Sequence, residues 1–280
     1  MKQPSHSHRN ILLLITALLW LLPNATQAQF DFPAMGGAAA AMGGATAAQT
    51  DFESASDNIA LLGALQSAHL TLSIRQQFAT EGMGYARFGG AIPVGFGSVG
   101  LTALHYGNSD YNELQISGSY GIPLGNNVRM GAGFHYLRSS TSDPYYDPQQ
   151  LMTFSVALQY SPSERIAIGF STYNPLAAKM RTDIYTRVPA RFNLGASYRP
   201  VENLTTLVEV EKNLYYDPTL RFGIEYCLQQ HYAFRVGLVT HPTIYTFGFG
   251  FRQRHIGADL SAQLHAVLGL TPQLNLHYTF

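Results

Sequence analysis

The sequence has few charged residues. Asp, Glu, Lys and Arg make up 12% of its 280 residues, and the formal net charge is zero, whereas about 25% charged residues is usual for a soluble domain. A surface with so few charges is poorly suited to contact with water on every side. The balanced charge and the lack of a basic patch also give no reason to expect nucleic-acid binding.

Two further absences narrow the class of protein. Cys227 is the single cysteine, which excludes an intramolecular disulfide framework. Beyond the N-terminal region, no stretch approaches the roughly 20 consecutive apolar residues of a membrane-spanning helix. Tyr and Phe are nevertheless abundant, with 17 and 16 copies. This combination favours a membrane β-barrel over a soluble domain or a helical membrane protein.

The first 28 residues have the features of a secretory signal peptide. Lys2 and Arg9 form a basic region, residues 11–22 an apolar core, and Thr26-Gln27-Ala28 a cleavage site of small residues. A membrane anchor is the alternative, but residues 11–22 are too short to span a bilayer. We therefore expect the mature chain to begin at Gln29. The residue at this position is not a cysteine, so a lipoprotein is excluded.

From residue 67 onward the chain alternates between apolar and polar residues with a period of two. Such alternation indicates strands, and an apolar face almost free of charge indicates lipid on that side and a polar lumen on the other. The prediction is an all-β, transmembrane antiparallel β-barrel of about fourteen strands. The expected strands are 68–78, 83–93, 96–106, 111–122, 127–138, 150–161, 165–173, 189–199, 203–212, 219–228, 231–240, 243–253, 255–265 and 271–280.

The connections between these strands support the same architecture. Tight turns alternate with connections that are often longer, as in barrels of the Gram-negative outer membrane, where the short side is periplasmic. The loops at 139–149, with Tyr145 and Tyr146, and at 174–188, with Lys179 and Arg181, should therefore be extracellular. We expect the outer surface to contact outer-membrane lipid. The last strand, with Tyr278 and Phe280, should be the signal for the barrel-assembly machinery.

Residues 29–66 do not resemble strands. They are rich in Gly and Ala, and an Asp/Ser/Asn cluster precedes an apolar run at 59–65 that it could cap as a short helical turn. A flexible linker is the alternative interpretation, but Met, Phe and Leu recur through the segment, which favours a compact plug packed in or under the barrel. The expected plug residues are Met35, Gly36, Gly37, Met42, Gly43, Gly44, Asp51, Asp57 and Asn58.

Charged residues on the predicted lumen face form a candidate site. When strands are paired through their tight turns, Glu209 should lie between Arg191 and Arg221. Charges inside a barrel should be paired, because an isolated buried charge is costly.

The same pairing predicts two further contacts, with Glu225 facing Arg235 and Arg252 approaching Asp259. A polar conduit lined by ions is one interpretation. A ladder of ion pairs across the strands that fills the lumen and fixes the register is the other. The balance of charge favours the ladder.

Other motifs in the sequence do not predict a catalytic, cofactor or metal site. Residues 95–100 match G-x-G-x-x-G but lie in a hairpin with no following helix, so they do not predict a dinucleotide site. The histidines lack the paired spacing of metal ligands, and no nucleophile elbow is present. We therefore predict neither an enzyme nor a cofactor or metal site.

Short motifs in this chain resemble two outer-membrane families, the PorV/PorQ family and the FadL-like family. The N-terminal run 41–48, Asp51 and the residues 54–62 resemble the opening of these proteins, with Ile59 in the turn where they usually have Pro. Further matches lie at residues 173–175, 194–200, 208–212 and 267–280.

The resemblance implies a fourteen-stranded barrel with an N-terminal plug, and it leaves two functions open. FadL-like proteins pass hydrophobic small molecules through a lateral opening, and the glycines of the early strands could open such a gap by weakening strand pairing. PorV/PorQ-like proteins act in type IX secretion, where secretion-system proteins would be the partners. We favour a passive conduit for small solutes, hydrophobic ones included, over the secretion component.

Overall fold

The computed structural model describes residues 30–180 and 186–280. The predicted signal peptide and Arg181 lie outside the described residues. Fourteen antiparallel strands form a closed barrel, in which each strand pairs with its neighbour along the chain and the first strand pairs with the last. The predicted barrel and its strand number are thus confirmed. The barrel strands are β1 (His69–Gln76), β2 (Gly84–Val94), β3 (Gly97–Gly107), β4 (Tyr111–Pro123), β5 (Val128–Thr141), β6 (Gln149–Ser163), β7 (Ile166–Tyr173), β10 (Arg191–Val201), β11 (Leu204–Asn213), β12 (Thr219–Leu228), β13 (Tyr232–Val239), β14 (Ile244–Gln253), β15 (Ile256–His265) and β16 (Gly269–Thr279).

Side chains alternate between the lumen and the outer surface along every barrel strand. In β16, Asn275 and His277 are buried in the lumen, whereas Leu274 and Leu276 are exposed on the outside. The outer surface also carries a ring of exposed tyrosines near the end of the barrel that has the short turns, as is usual where a barrel meets the membrane interface. These residues are Tyr120, Tyr160, Tyr198, Tyr226, Tyr232 and Tyr278.

The segment that precedes the barrel, residues 30–65, lies inside it. It contains one short α-helix, α1 (Gly37–Ala41), and two 3₁₀-helices, η1 (Phe52–Ser56) and η2 (Ile59–Ala64). The side chain of Asn58 caps η2 by accepting a hydrogen bond from the Ala60 N–H at 3.2 Å. We call this segment the plug. Among the described residues, no helix is long and apolar enough to cross a membrane.

The structure differs from the prediction in two of the loops. Strand β5 continues to Thr141, because Ser139 still pairs with Gln149 of β6, so this loop is shorter than predicted. The long loop after β7 contains two short paired strands, β8 (Lys179–Met180) and β9 (Thr186–Arg187). A third 3₁₀-helix, η3 (Gln77–Ala79), lies between β1 and β2.

Candidate functional site

Three pairs of directly opposed glycines line the lumen where the plug passes. Their members are Gly121 and Gly131, Gly169 and Gly195, and Gly223 and Gly237. A Cβ at any of these positions would lie 3.4 Å or less from plug atoms, and for five of the six it would lie within 3.0 Å, which real Cβ atoms do not tolerate. The glycines therefore allow the plug backbone to contact the barrel wall directly.

The early strands do not show the weakened pairing that was expected from their glycines. Strands β2 and β3 pair over ten residues without interruption, from Tyr85↔Tyr106 to Val94↔Gly97. Of the early glycines, Gly100 faces Leu62 of the plug. Close contact with the plug, rather than a gap in the wall, is thus the physical reason for glycine at lumen positions of these strands.

Lumen carboxylates bind the plug through its backbone. Glu209 accepts hydrogen bonds from the N–H groups of Thr46 and Ala47, both at 2.7 Å. Within the plug, Asp57 accepts from the N–H of Met35 at 3.2 Å and of Gly36 at 2.6 Å. These bonds satisfy donors that would otherwise be buried without a partner.

Neutral and basic side chains of the wall bind the remaining plug backbone. Arg221 donates to the Gly44 carbonyl at 2.6 Å, and Asn275 donates to the Met35 carbonyl. Thr246 donates to the Ala41 carbonyl at 2.7 Å and accepts from the Gly43 N–H at 2.9 Å. The plug is therefore bound by β11, β12, β14 and β16.

Other predicted plug residues also lie at the wall. Met42 packs against Gly223, and Gly37 of α1 lies beside Asp259. Gly43 and Gly44 adopt φ angles of 71° and 75°, which glycine tolerates best. Asp51 precedes η1 and lines a cavity of about 40 Å³ near the short-turn end.

The predicted contact between Arg191 and Glu209 is wrong. The structure pairs Arg191 with Asn213, and Glu209 lies opposite Gly195. Strand β10 continues to Val201 and β11 begins at Leu204, so the turn lies further along the chain than the predicted pairing requires. Glu209 instead binds the plug.

Arg221 does lie directly opposite Glu209 in the register, but its ion pair is with another residue. It contacts Glu211 at 2.9 Å. Glu211 is on the same face of β11 as Glu209, two residues nearer the long loops. Arg221 therefore binds a wall carboxylate with one guanidinium nitrogen and the plug carbonyl of Gly44 with another.

Arg235 forms one of the contacts that were predicted for a second group of charges. Arg235 lies opposite Glu225 and donates to it at 2.6 Å, and it also contacts Asp259. Arg252, expected to approach Asp259, lies opposite Gly257 and is exposed at the short-turn end. Arg235 therefore joins two buried carboxylates on β12 and β15, which is consistent with the ladder.

An apolar cluster packs at one side of the barrel end that has the long loops. It combines plug, wall and loop residues, and we call it the mouth cluster: Phe30, Phe32, Met35, Leu104, Leu137, Met180 and Val188. The Phe30 N–H donates to Glu113 at 3.0 Å, which places the start of the plug at this end.

Two cavities lie between the mouth and the plug. The larger, which we call the vestibule, has a volume of about 470 Å³, and the smaller, the inner chamber, about 130 Å³. The two cavities are neighbours, since six residues of the plug and the wall line both of them. The shared residues are Pro33, Ala34, Gly44, Arg191, Glu211 and Arg221.

The remaining predicted residues lie on the surface. Tyr145 and Tyr146 are exposed in the β5–β6 loop, Tyr145 to 94%, and Lys179 is exposed in β8. Tyr278 and Phe280 face outward at the short-turn end, where their rings contact each other edge to face. In the described ranges, no group of His, Cys, Asp or Glu is arranged to hold a metal ion.

Sequence reasoning did not identify several residues that build this site. Arg87 and Gln273, which contact the plug, and Arg75, which lines the vestibule, were not singled out. Each is a polar residue at a lumen position, and the alternation alone could have placed it there. What it contacts depends on the path of the plug.

Comparison with known proteins identifies solved structures that share this fold. No protein-family model and no curated protein matches the chain. Among solved structures, a Pseudomonas aeruginosa FadL homologue matches with a TM-score of 0.69 at 12% identity, over 90% of this chain and 100% of the other. This chain has a FadL-like barrel fold.

Two further solved structures agree. The toluene transporter TbuX of Ralstonia pickettii matches with a TM-score of 0.62 at 13% identity, over 90% of this chain and 98% of the other. The toluene transporter TodX of Pseudomonas putida matches with a TM-score of 0.62 at 10% identity, over 89% and 98%. The FadL-like fold is that of outer-membrane barrels, which agrees with the predicted location. These structures do not support the resemblance of the sequence to the PorV/PorQ family.

Proposed function

We propose that this protein is a passive conduit that admits small solutes, hydrophobic ones included, into the outer membrane of a Gram-negative bacterium. The vestibule is the observation that carries the proposal. A barrel that served only as a membrane anchor would need no such space between its extracellular loops and its plug, whereas solute sites are concave and of this size. The chemistry of TbuX and TodX, both described as toluene transporters, supports the inclusion of hydrophobic solutes.

The plug excludes a straight route through the middle of the barrel. It contacts the wall at the three glycine pairs, and its residues there are almost completely buried. A solute in the vestibule must therefore displace the plug or leave through the wall.

The seam between β1 and β16 offers a route through the wall. Their pairing stops at Arg75↔Gln273, one residue before β1 ends. The next residue of β16 toward the loops is Pro272, which has no N–H to donate. The pairing of β16 with β1 therefore stops short of the long-loop end of β16.

Cavities lie on both sides of this seam. Arg75 and Gln263 line the vestibule on the inside. Ile74 and Pro272 line an apolar groove of about 920 Å³ on the lipid side. We propose that a hydrophobic solute passes sideways here, from the vestibule into the membrane.

A reversible lock tests this route. Ile74 and Leu274 are directly opposed on the outer face of the seam, and cysteines at opposed positions can form a disulfide. The variant I74C/L274C is made with C227S, so that no other thiol competes. A matched lock at Ala132 and Val156, opposed on β5 and β6, is the control.

Uptake of radiolabelled toluene is measured in cells with an intact lipopolysaccharide leaflet. We expect the protein to raise uptake above that of cells without it, the seam lock to abolish the increase, and a reductant to restore it. The control lock should have no effect. Uptake no greater than in cells without the protein would refute the conduit, and equal uptake with both locks would refute the lateral route.

No observation in the structure specifically favours the secretion function. The secretion function remains a prediction from the short motifs. A deletion strain that secretes and anchors its surface proteins normally would refute it. TbuX and TodX are described as transporters rather than enzymes, in keeping with the expectation of no catalytic activity.

A further inference from the structure

The charged residues of the fourteen barrel strands are distributed unevenly between the two faces of the wall. Every Asp and Glu on these strands faces the lumen, and the residues are Glu113, Glu209, Glu211, Glu225 and Asp259. Of the Lys and Arg residues on these strands, which the structure describes throughout, only Arg138 and Lys212 face outward. Both are exposed and lie near the long-loop end of their strands. The outer face therefore carries positive charge alone, and carries it only toward the cell surface.

The two outward cations differ in their contacts. Lys212 donates to the Tyr216 carbonyl at 2.6 Å. Among the residues that the structure describes, Arg138 has no hydrogen bond from its side chain and no ion pair. A guanidinium carries five N–H donors in a planar fork that fits a phosphate, so Arg138 can bind a ligand without giving up a contact in the protein.

Arg138 belongs to a row of outward residues that crosses four strands. His105 of β3, Leu114 of β4, Arg138 of β5 and Gln150 of β6 are opposed in turn, and all except Leu114 are exposed. Since neighbouring strands are about 4.8 Å apart, the backbone of Gln150 lies about 5 Å and that of His105 about 10 Å from Arg138. The row therefore offers several hydrogen-bond donors and no carboxylate.

Arg138 also marks the border of the apolar band. Between Met130 and Tyr136, the outward residues of β5 are Met, Ala, Phe and Tyr, and Ser140 follows Arg138 on the same face. Arg138 is eight residues beyond Met130, which is about 26 Å along the strand and, with the usual tilt, about 20 Å across the membrane. This is close to the height of the apolar band of such a barrel, so the guanidinium reaches lipid headgroups rather than acyl chains.

The outer face has a depression on the membrane side of this row. Gly118 of β4 lies directly between Leu101 of β3 and Phe134 of β5, whose side chains are 64% and 74% exposed. A Cβ at Gly118 would meet only Leu101, at 3.7 Å, so the space over the glycine is open between two projecting apolar side chains. Gly118 is four residues from Leu114, which places the depression about 13 Å from the row along the strand.

We propose that this part of the wall, which we call the β3–β6 face, binds lipopolysaccharide of the outer leaflet. Arg138 binds a phosphate of the headgroup, His105 and Gln150 supply further donors, and an acyl chain lies over Gly118. Charge complementarity supports this ligand, because a phosphorylated lipid supplies the anion that Arg138 lacks. A second copy of this chain would bring two cationic rows together, which disfavours a dimer through this face. The inference does not depend on the conduit.

Native mass spectrometry tests the site, using the full mature protein in micelles of a neutral detergent. Bisphosphorylated lipid A is the probe, dephosphorylated lipid A with the same acyl chains is its neutral counterpart, and inorganic phosphate is the competitor. R138Q removes the charge, and G118L fills the depression. K212Q removes the other outward charge, and R165Q removes an exposed arginine from the β6–β7 turn.

We expect R138Q to bind bisphosphorylated lipid A about fivefold more weakly than the wild type, as for the loss of one cation at an anionic lipid surface. Dephosphorylated lipid A should bind R138Q and the wild type equally. G118L should bind both lipids more weakly, and R165Q should bind both like the wild type. Unchanged binding of bisphosphorylated lipid A to R138Q would overturn the phosphate contact, and unchanged binding to G118L would overturn the acyl-chain contact.

Two comparisons distinguish a site from a general attraction between charges. A loss in K212Q as large as in R138Q would mean that any outward cation attracts the lipid, and it would overturn the site on the β3–β6 face. Displacement of bisphosphorylated lipid A by inorganic phosphate at the same concentration would overturn the assignment to a lipid.

Folding of R138Q can be judged separately from binding. Since the side chain is exposed and unpaired among the described residues, R138Q should unfold at the same temperature as the wild type. R138K keeps the charge and should recover most of the binding of bisphosphorylated lipid A. Binding to R138K no stronger than to R138Q would overturn the role of the charge.

Discussion

Asp57 of the plug and Arg87 of β2 form a two-point ion pair inside the barrel. The two nitrogen–oxygen distances are 2.5 and 3.1 Å, and the side chains are 8% and 5% exposed. The same carboxylate accepts hydrogen bonds from the N–H groups of Met35 and Gly36. Asp57 thus joins the two halves of the plug to each other and to the wall.

Replacement of Asp57 by Ala should loosen the plug. The variant leaves Arg87 buried without its partner, which typically costs about 3–5 kcal/mol. We expect the free energy of unfolding in detergent micelles, measured by guanidinium titration, to fall by about this amount. D147A, which removes an exposed loop carboxylate, should be neutral. If R87M restores much of the stability lost in D57A, the unpaired charge is the cause; no restoration would contradict this account.

The glycine pairs predict that replacing a glycine by alanine destabilises the protein at a lumen position but not on the outer surface. A Cβ at Gly169 would overlap the carbonyl oxygen of Ala47, whereas a Cβ at Gly118, on the outer face of β4, would meet only Leu101 at 3.7 Å. G169A should therefore destabilise the protein by about 1–3 kcal/mol through overpacking, and G118A should not. Thermal unfolding followed by circular dichroism measures both. Equal stability of the two variants would show that the plug moves away without cost.

Met180 should hold the long loop against the mouth cluster. It is completely buried, although it belongs to a two-residue strand in a loop. M180A removes this contact, and we expect the loop to open more often by local unfolding. Trypsin should then cleave after the exposed Arg187 faster than in the wild type, as followed by mass spectrometry. Y145A, at an exposed loop tip, is the control, and unchanged cleavage of M180A would mean that other contacts hold the loop.

Phe280 should matter for assembly more than for stability. Its side chain is 62% exposed at the end of the chain and contacts Tyr278. Because little apolar surface is buried there, F280A should unfold in micelles like the wild type. In cells, however, we expect far less folded protein in the outer membrane, measured by its heat-modifiable migration on gels. F134A, an exposed position in the middle of the outer surface, is the control, and equal amounts of both would argue against an assembly signal.

Much of the barrel was predictable because its signals are local. Period-two alternation marks each strand, and Gly, Pro and Asn mark many of the turns. The predicted strand 219–228 has the observed bounds, and the prediction for β16 begins two residues late. Asn58 was correctly placed before a short helical turn because a capping residue acts on the residues that follow it.

The candidate site was less predictable because its contacts are distant in sequence. Glu209 binds Thr46 and Ala47, more than 160 residues earlier, and no local pattern reveals such a bond. Arg235 was paired correctly with Glu225 because a tight turn joins their strands. Arg191 was paired wrongly because the turn between β10 and β11 lies further along the chain than expected. Lumen glycine was interpreted as weakness in the wall because the path of the plug was unknown.

The path of the plug has a consequence for the way the protein is built. Phe30 lies beside Glu113 at the outer mouth, and Leu62 lies beside Gly121 at the opposite end. The plug is therefore an additional traverse of the membrane, made without a strand. Its first described residue, Phe30, lies at the long-loop end, whereas Phe280, the last residue of the sequence, lies at the short-turn end. We expect the plug to enter the barrel before β1 and β16, about 200 residues apart, pair and close the wall.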